Sequence, residues 1–252
     1  MKSLLFTLVA LFFPASSAKN SLLNKLGANV SSSAKIRNCL FYKTDLIVGE
    51  RGEIGYFNMF LSVNKVIMEP DSKIGSFNQF SGDFDLKLYK SSRISNSNIF
   101  RGAKQGLFNE ESYFVLKSNS IVTSSHYFDL SSSIYVASKS VIGGRNSQFW
   151  THGFLHVNEG NTRYIKLESI WIEDGVYIGS NCTINPGSII EKNVNVVSAT
   201  TVNGRLIEGG VYGSSAIRKI MQVDEEIIND TYEVDEQHSS GHPRIIKRKV
   251  AK

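Results

Sequence analysis

Six residues separate each member of the series Ile172, Ile178, Ile184, Ile190, Val196 and Val202 from the next, and every member is β-branched. Between them stand small or turn-forming residues, as in Gly179-Ser180-Asn181 and Asn185-Pro186-Gly187-Ser188. A helix buries side chains with a period of 3.6 and a two-sided strand with a period of 2, so neither accounts for this spacing. A period near six fits a parallel β-helix: each unit is one short strand plus a corner, and stacked coils bury a continuous aliphatic column. A second series, Val30, Ile36, Tyr42, Val48, Ile54 and Phe60, repeats the pattern upstream. Shorter runs follow in other registers: Ile74-Phe80-Leu86, Leu88-Ile94-Phe100, Val115-Ile121-Tyr127 and Val136-Ile142. Their breaks read as insertions. An ordinary sandwich of alternating strands does not readily give six consecutive matches.

Composition adds bounds to this all-β reading. Aromatic residues make up 11% and charged residues 20% of the 252 residues, which excludes a disordered chain. The net charge of +5 is spread along the sequence except in the basic stretch Arg244 to Lys252, and no nucleic-acid-binding motif is present. Cys39 and Cys182 fall in different coils, so no disulfide and a reducing compartment are expected. Residues 1–18 combine a charged start, an apolar run from Leu4 to Phe13 and a small-residue exit, the composition of a secretory leader. The apolar run is too short to span a bilayer comfortably. A retained helix at a membrane surface or between subunits is the preferred reading.

The best-patterned stretch, Ile170-Trp171-Ile172-Glu173-Asp174-Gly175-Val176-Tyr177-Ile178-Gly179-Ser180-Asn181, followed by Asn185-Pro186-Gly187, resembles the bacterial hexapeptide-repeat acyltransferases. Gly209 to Ile220 is similar to their closing segment, with Ser215 where many members have proline, and Lys19 to Ala28 resembles the helix before their first coil. The resemblance covers about residues 19 to 220 and implies a left-handed parallel β-helix. On that reading residues 1–28 form an apolar segment and helix, 29–220 the β-helix with insertions near 102–112 and 157–169, and 221–252 a C-terminal cap and basic tail. It also implies a homotrimer, acetyl-CoA as acyl donor, no metal, and a carbohydrate acceptor in capsule or other surface-polysaccharide biosynthesis. The expected location is the cytoplasm, at the inner face of the membrane if residues 1–18 touch it.

The chemistry-bearing residues are few. His152 and His156 precede an irregular stretch, Val157 to Ser169, that leaves the six-residue register, and a loop thrown out beside a histidine makes the wall of a pocket. The resemblance places the catalytic histidine there, with Thr151-His152-Gly153 carrying the match. A neutral sugar hydroxyl needs a base to attack a thioester, and imidazole, with a pKa near 6.5, suits that role. His152 ranks first, His156 second and His126 third. Glu159 or Glu168 is the expected acceptor for the other ring nitrogen. Gly179, Ser180, Ser198 and Ala199 are candidates for the coenzyme's pantetheine arm, because small residues admit close approach, although tight corners explain them equally well. Arg218 and Lys219 are candidates for its phosphates. Trp150 and Trp171 are candidates for the sugar, or simple packing residues. Two rival readings remain open: a trimeric metal hydrase of the γ-carbonic-anhydrase type using His126, His152 and His156, and a non-catalytic β-helix binding module.

Overall fold

A computed structural model describes residues 4–104, 111–157 and 163–214, together with the backbone of Tyr232–Asp235 and Arg244–Arg248. Short strands stack in register into three parallel sheets that form the sides of a prism. Sheet A has nine strands, from Asn29–Val30 to Arg205–Leu206; sheet B has nine, from Lys35–Ile36 to Val211–Tyr212; sheet C has eight, from Leu40–Tyr42 to Thr201–Val202. The chain visits A, B and C in turn and climbs one strand per circuit. Most strands of sheet B are two residues long, the second buried, as in Glu53–Ile54 and Lys73–Ile74. One inward aliphatic per side is the physical content of the six-residue period.

All six members of the series from Ile172 to Val202 are buried. The upstream registers show a finer rule. Twenty residues separate Asp45, Lys65 and Asp85, which are neighbours on sheet A. Here each sheet A strand is four residues long and buries two of them, Leu46 with Val48, Val66 with Met68 and Leu86 with Leu88. The register breaks after Phe60 and Leu86 are therefore one extra in-and-out pair per coil rather than insertions. The expected pattern departs from the structure in two places. Tyr42 is 52% exposed, and Phe41 fills the core place instead. The run Val115-Ile121-Tyr127 is out of phase by one residue; Leu116, Val122 and Phe128 are the fully buried positions. Because strand side chains alternate, a one-residue slip changes the face completely.

Behind sheet C six phenylalanines, Phe41, Phe60, Phe80, Phe100, Phe128 and Phe149, stack coil on coil with ring centroids 4.5 to 4.7 Å apart. Each ring is fully buried, a contribution of roughly 1.5–3 kcal/mol per side chain before the stacking is counted. Beside this spine, at the corner entering sheet C, runs a buried polar ladder. Asn78 and Asn98 each donate to the side-chain oxygen of the asparagine one coil below, at 2.9 and 3.1 Å. His126 occupies the next rung: its backbone N–H donates to Asn98 Oδ1, its Nδ1 accepts from Ser147 N–H, and its Nε2 lies 2.9 Å from Thr123 Oγ1. Cys39 and Cys182, both buried and free, occupy equivalent corners.

The first coil is closed by two helices, α1 (Leu4–Phe12) and α2 (Ser17–Lys25). Phe6 of α1 meets Phe41 edge-on, and Val9 and Ala10 are buried with it. The Lys19 ammonium, 1% exposed, donates to the carbonyls of Ala10, Phe13 and Arg37 at 2.7, 3.0 and 3.2 Å, and so ties the end of α1 to α2 and the first coil. The chain leaves the prism between sheets C and A as a hairpin, His152–His156 paired antiparallel with Arg163–Leu167. Arg244–Arg248 adds to this hairpin beside Arg163–Leu167, and Tyr232–Asp235 adds beyond it. The excursion thus begins at His152, five residues before the boundary expected at Val157.

Candidate active site

The site grows from the point where the hairpin departs. In sheet C, Tyr127 and Phe128 stand beside Gln148 and Phe149, one coil apart. The next residue of the lower strand, Asp129, therefore lies beneath the chain as it turns out through Trp150, Thr151 and His152. Asp129 is buried, and its Oδ2 is held by Thr151 N–H at 2.8 Å, His152 N–H at 3.0 Å and Thr151 Oγ1 at 2.9 Å. Its Oδ1 accepts from Ser131 Oγ at 2.8 Å. Into this cage points His152 Nδ1, 2.8 Å from Asp129 Oδ2, with Ser131 Oγ 3.2 Å from the same nitrogen.

The electrostatics follow from that geometry. Burial alone would raise the Asp129 pKa, but the hydrogen bond and charge of His152, with those of Ser131 and Thr151, hold it below the ordinary carboxylate value. The Asp129 hydrogen bond raises the His152 pKa above 6.5 against the opposing effect of burial. An ionised carboxylate only accepts hydrogen bonds, so Nδ1 carries the proton and neutral His152 keeps its lone pair on Nε2. The imidazole is flanked by Trp150 at 6.2 Å and Phe154 at 6.0 Å, both edge-on, and its side chain is 30% exposed. A Cβ placed on Gly153 would meet nothing within 4 Å, so the opposite face of this strand is open. A buried carboxylate orienting a half-exposed imidazole is an arrangement that can take a proton from a bound hydroxyl and return it to a leaving group.

The remaining candidates divide. The orienting acceptor is Asp129 and not Glu168, whose carboxylate pairs with Lys166 at 3.1 Å; Glu159 lies outside the described residues. His126 is 1% exposed, with both ring nitrogens engaged in the ladder, and burial pushes its pKa down to about 4. It is a neutral structural rung, not a base. His156 shares the strand and the side of His152, four pairs further out opposite Arg163, and is exposed. The three histidines are not brought together, and among the described residues no three His, Cys, Asp or Glu side chains form a cluster able to hold a metal ion. Trp150 packs on Tyr127 beside His152, whereas Trp171 stacks on Tyr135 at 4.0 Å on sheet A, the adjoining side of the prism.

Gly179, Ser180, Ser198 and Ala199 do come together, at the corner between sheets B and C: Ser180 N–H donates to Ser198 Oγ at 3.1 Å. A Cβ on Gly179 would sit 2.7 Å from Ser198 N, so glycine is needed there for coils to stack at all. His152 stands on a different edge of the prism, between sheets C and A. Arg218 and Lys219 lie outside the described residues.

Three sheets of parallel strands, one circuit per coil and one inward aliphatic per six residues define the architecture. The chain is a hexapeptide-repeat β-solenoid. No protein-family profile matches the solenoid's sequence, and no curated protein matches it. Among solved structures it is similar to the polysialic-acid-specific acetyltransferase NeuO, with 14% identity and a TM-score of 0.38 over 81% of this chain and 86% of that one. It is also similar to the polysialic acid O-acetyltransferase OatWY, with 15% identity and a TM-score of 0.32 over 81% and 94%. A third is a mutant of AntD, an N-acyltransferase from Bacillus cereus in complex with dTDP and coenzyme A, with 15% identity and a TM-score of 0.30 over 83% and 91%. Likeness of this order bears on neither substrate nor mechanism.

Proposed function

We propose that the solenoid is an O-acyltransferase that moves an acetyl group from acetyl-CoA to a hydroxyl of a surface-polysaccharide sugar. The observation that carries this reading is the Asp129–His152 pair, which holds the imidazole rigidly with its Nε2 lone pair on a partly exposed ring. The acceptor hydroxyl oxygen attacks the thioester carbonyl while its proton passes to Nε2. The resulting tetrahedral intermediate expels the coenzyme thiolate, which takes the proton back from Nε2, leaving an acetyl ester and free CoA. Asp129 stabilises the imidazolium that exists between the two transfers.

Trp150 lines the sugar's approach, with His156 at its outer margin. Gly179, Ser180, Ser198 and Ala199 support the pantetheine arm, and Arg218 and Lys219 its phosphates. Since this corner and His152 occupy different edges of one prism, a neighbouring protomer is the natural supplier of the second half, which favours a homotrimer. The exposed Leu4, Leu5, Leu8, Phe12 and Phe13 of the N-terminal segment suit contact with the inner face of a membrane. Among the described residues no helix is long and apolar enough to cross one.

Acetyl transfer from acetyl-CoA to a panel of capsular polysaccharides tests the proposal. His152→Ala is expected to lower the rate by about 10²–10⁴ while leaving the thermal transition in place. Undiminished turnover in that variant would remove the imidazole from the mechanism.

A further inference from the structure

Away from His152, at the corner between sheets B and C in the second to fourth coils, lies a groove of about 400 Å³. Its floor is low because Gly55, Gly75 and Ser95 occupy successive coils there. One wall carries Lys73 and Arg93, which are in register on sheet B, and Arg37 closes the end. Glu53 is the wall's one carboxylate; it pairs with Lys73 at 2.9 Å and Arg37 at 3.5 Å. Among the described residues Arg93 has no ionic partner, so the groove keeps an excess of positive charge.

The opposite wall is Tyr56, 47% exposed, and it runs outward into Phe57 and Phe77, each 57% exposed, with ring centroids 6.0 and 5.6 Å apart in succession. Both phenylalanines sit in the left-handed region, at φ 55° and 62°. Later coils fill the same corner place with Ser97, Ser125, Asn146, Asn181 and Ala199, also at positive φ. A bulky residue is a conformational outlier there, whereas asparagine tolerates it. The later coils do without aromatic rings at this place, so the fold does not require two exposed phenylalanines at strained positions.

We infer that this groove binds an acidic polysaccharide chain, its carboxylates on Arg93, Lys73 and Arg37 and its sugar rings against Tyr56, Phe57 and Phe77. The inference deepens the proposed function, on which it rests for the choice of a sugar polymer. It makes the groove an anchoring subsite about three coils from the imidazole, roughly 14 Å along the axis at the usual strand spacing. Guanidinium and ammonium groups supply charge-assisted bonds to carboxylates, and aromatic faces supply the apolar surface that a pyranose covers.

Binding to the full-length protein without acetyl-CoA is measured for polysialic acid, polygalacturonate and hyaluronan, with dextran and single-stranded DNA of matched length as controls. At least one carboxylated polymer is expected to bind about tenfold or more tighter than either control. Arg93→Gln is expected to weaken that binding about tenfold and to flatten its salt dependence. The double variant Phe57→Asn with Phe77→Asn is expected to weaken it with the salt dependence unchanged, while the melting temperature stays level or rises. His152→Ala is expected to bind as the wild type does. Equal affinity for DNA, no binding of any carboxylated polymer, or a double variant that melts earlier and binds normally overturns the inference. Binding without acetyl transfer would leave the groove standing and remove the transferase; transfer to acceptors that ignores Arg93 would do the reverse.

Discussion

His152 and Asp129 stand 23 residues apart in sequence yet share one hydrogen bond, because a coil of about twenty residues returns the chain to the same edge. The histidine was legible from its place before a break in the repeat; its partner was not, because the local loop offered two nearer carboxylates. Once coil length is known, the position one circuit below His152 falls among Asp129 to Ser131, and that is the signal the sequence contains. A consequence follows for pH. Since Asp129 raises the His152 pKa, the basic form is lost as pH falls through that raised value, so the acidic limb of kcat/KM is expected above 6.5. Asp129→Asn is expected to cost about a hundredfold in kcat, and to move the limb towards lower pH. A pH–rate profile of both proteins checks this, and an unmoved limb would show that another group controls it.

At the level of elements, the regular coils were readable because one aliphatic per six residues is a direct imprint of the short strands. The four-residue strands of sheet A were not, since a period of two inserted into a period of six looks like an insertion. Helix α1 was legible as a helix despite its leader-like composition, but its packing was not: Phe6, Val9 and Ala10 pack on the first coil and Lys19 holds its last carbonyls. Burial lowers the Lys19 pKa from 10.5 to about 8, with the nearby Cys39 thiol opposing weakly. Between those values the unfolded chain holds more protons than the folded one, so this lysine makes stability rise with pH in that window; its unfavourable contribution is fully present below about pH 8. Denaturant melts of wild type and Lys19→Met from pH 7 to 10.5 are expected to differ in slope in that window, with the variant flatter. The hairpin makes a separate prediction. Its Arg163–Leu167 strand is paired on its outer side by Arg244–Arg248, so ending the chain after residue 231 leaves that edge open. We expect such a truncation to lower kcat about ten- to a hundredfold by loosening His152, with the melting of the coils little changed, as turnover and calorimetry together will show.

For the whole molecule, the two halves of the proposed site lie on separate edges, and a shared site has a mixing signature. Protomers carrying His152→Ala and protomers carrying Ala199→Trp are each expected to be nearly inactive. Co-refolded, they are expected to regain a fraction of wild-type turnover, because some interfaces then combine an intact imidazole with an intact corner. No recovery on mixing would place both halves in one chain. The coils themselves are not interchangeable. Asp45, Lys65 and Asp85 are twenty residues apart, Trp171 and Ile189 eighteen, and Ile189 and Arg205 sixteen. The first circuit, from Asn29 to Ile47, is also eighteen residues, so the widest circuits lie in the middle, and beyond them the phenylalanines give way to Ile184 and Val202. Uniform repeat arrays can be lengthened by copying any unit, but here a duplicated rung would fit only among neighbours of its own girth. Grafting a circuit from the broad middle onto the slender last coils would leave phenyl rings with no room and a seam where the ladder no longer meets.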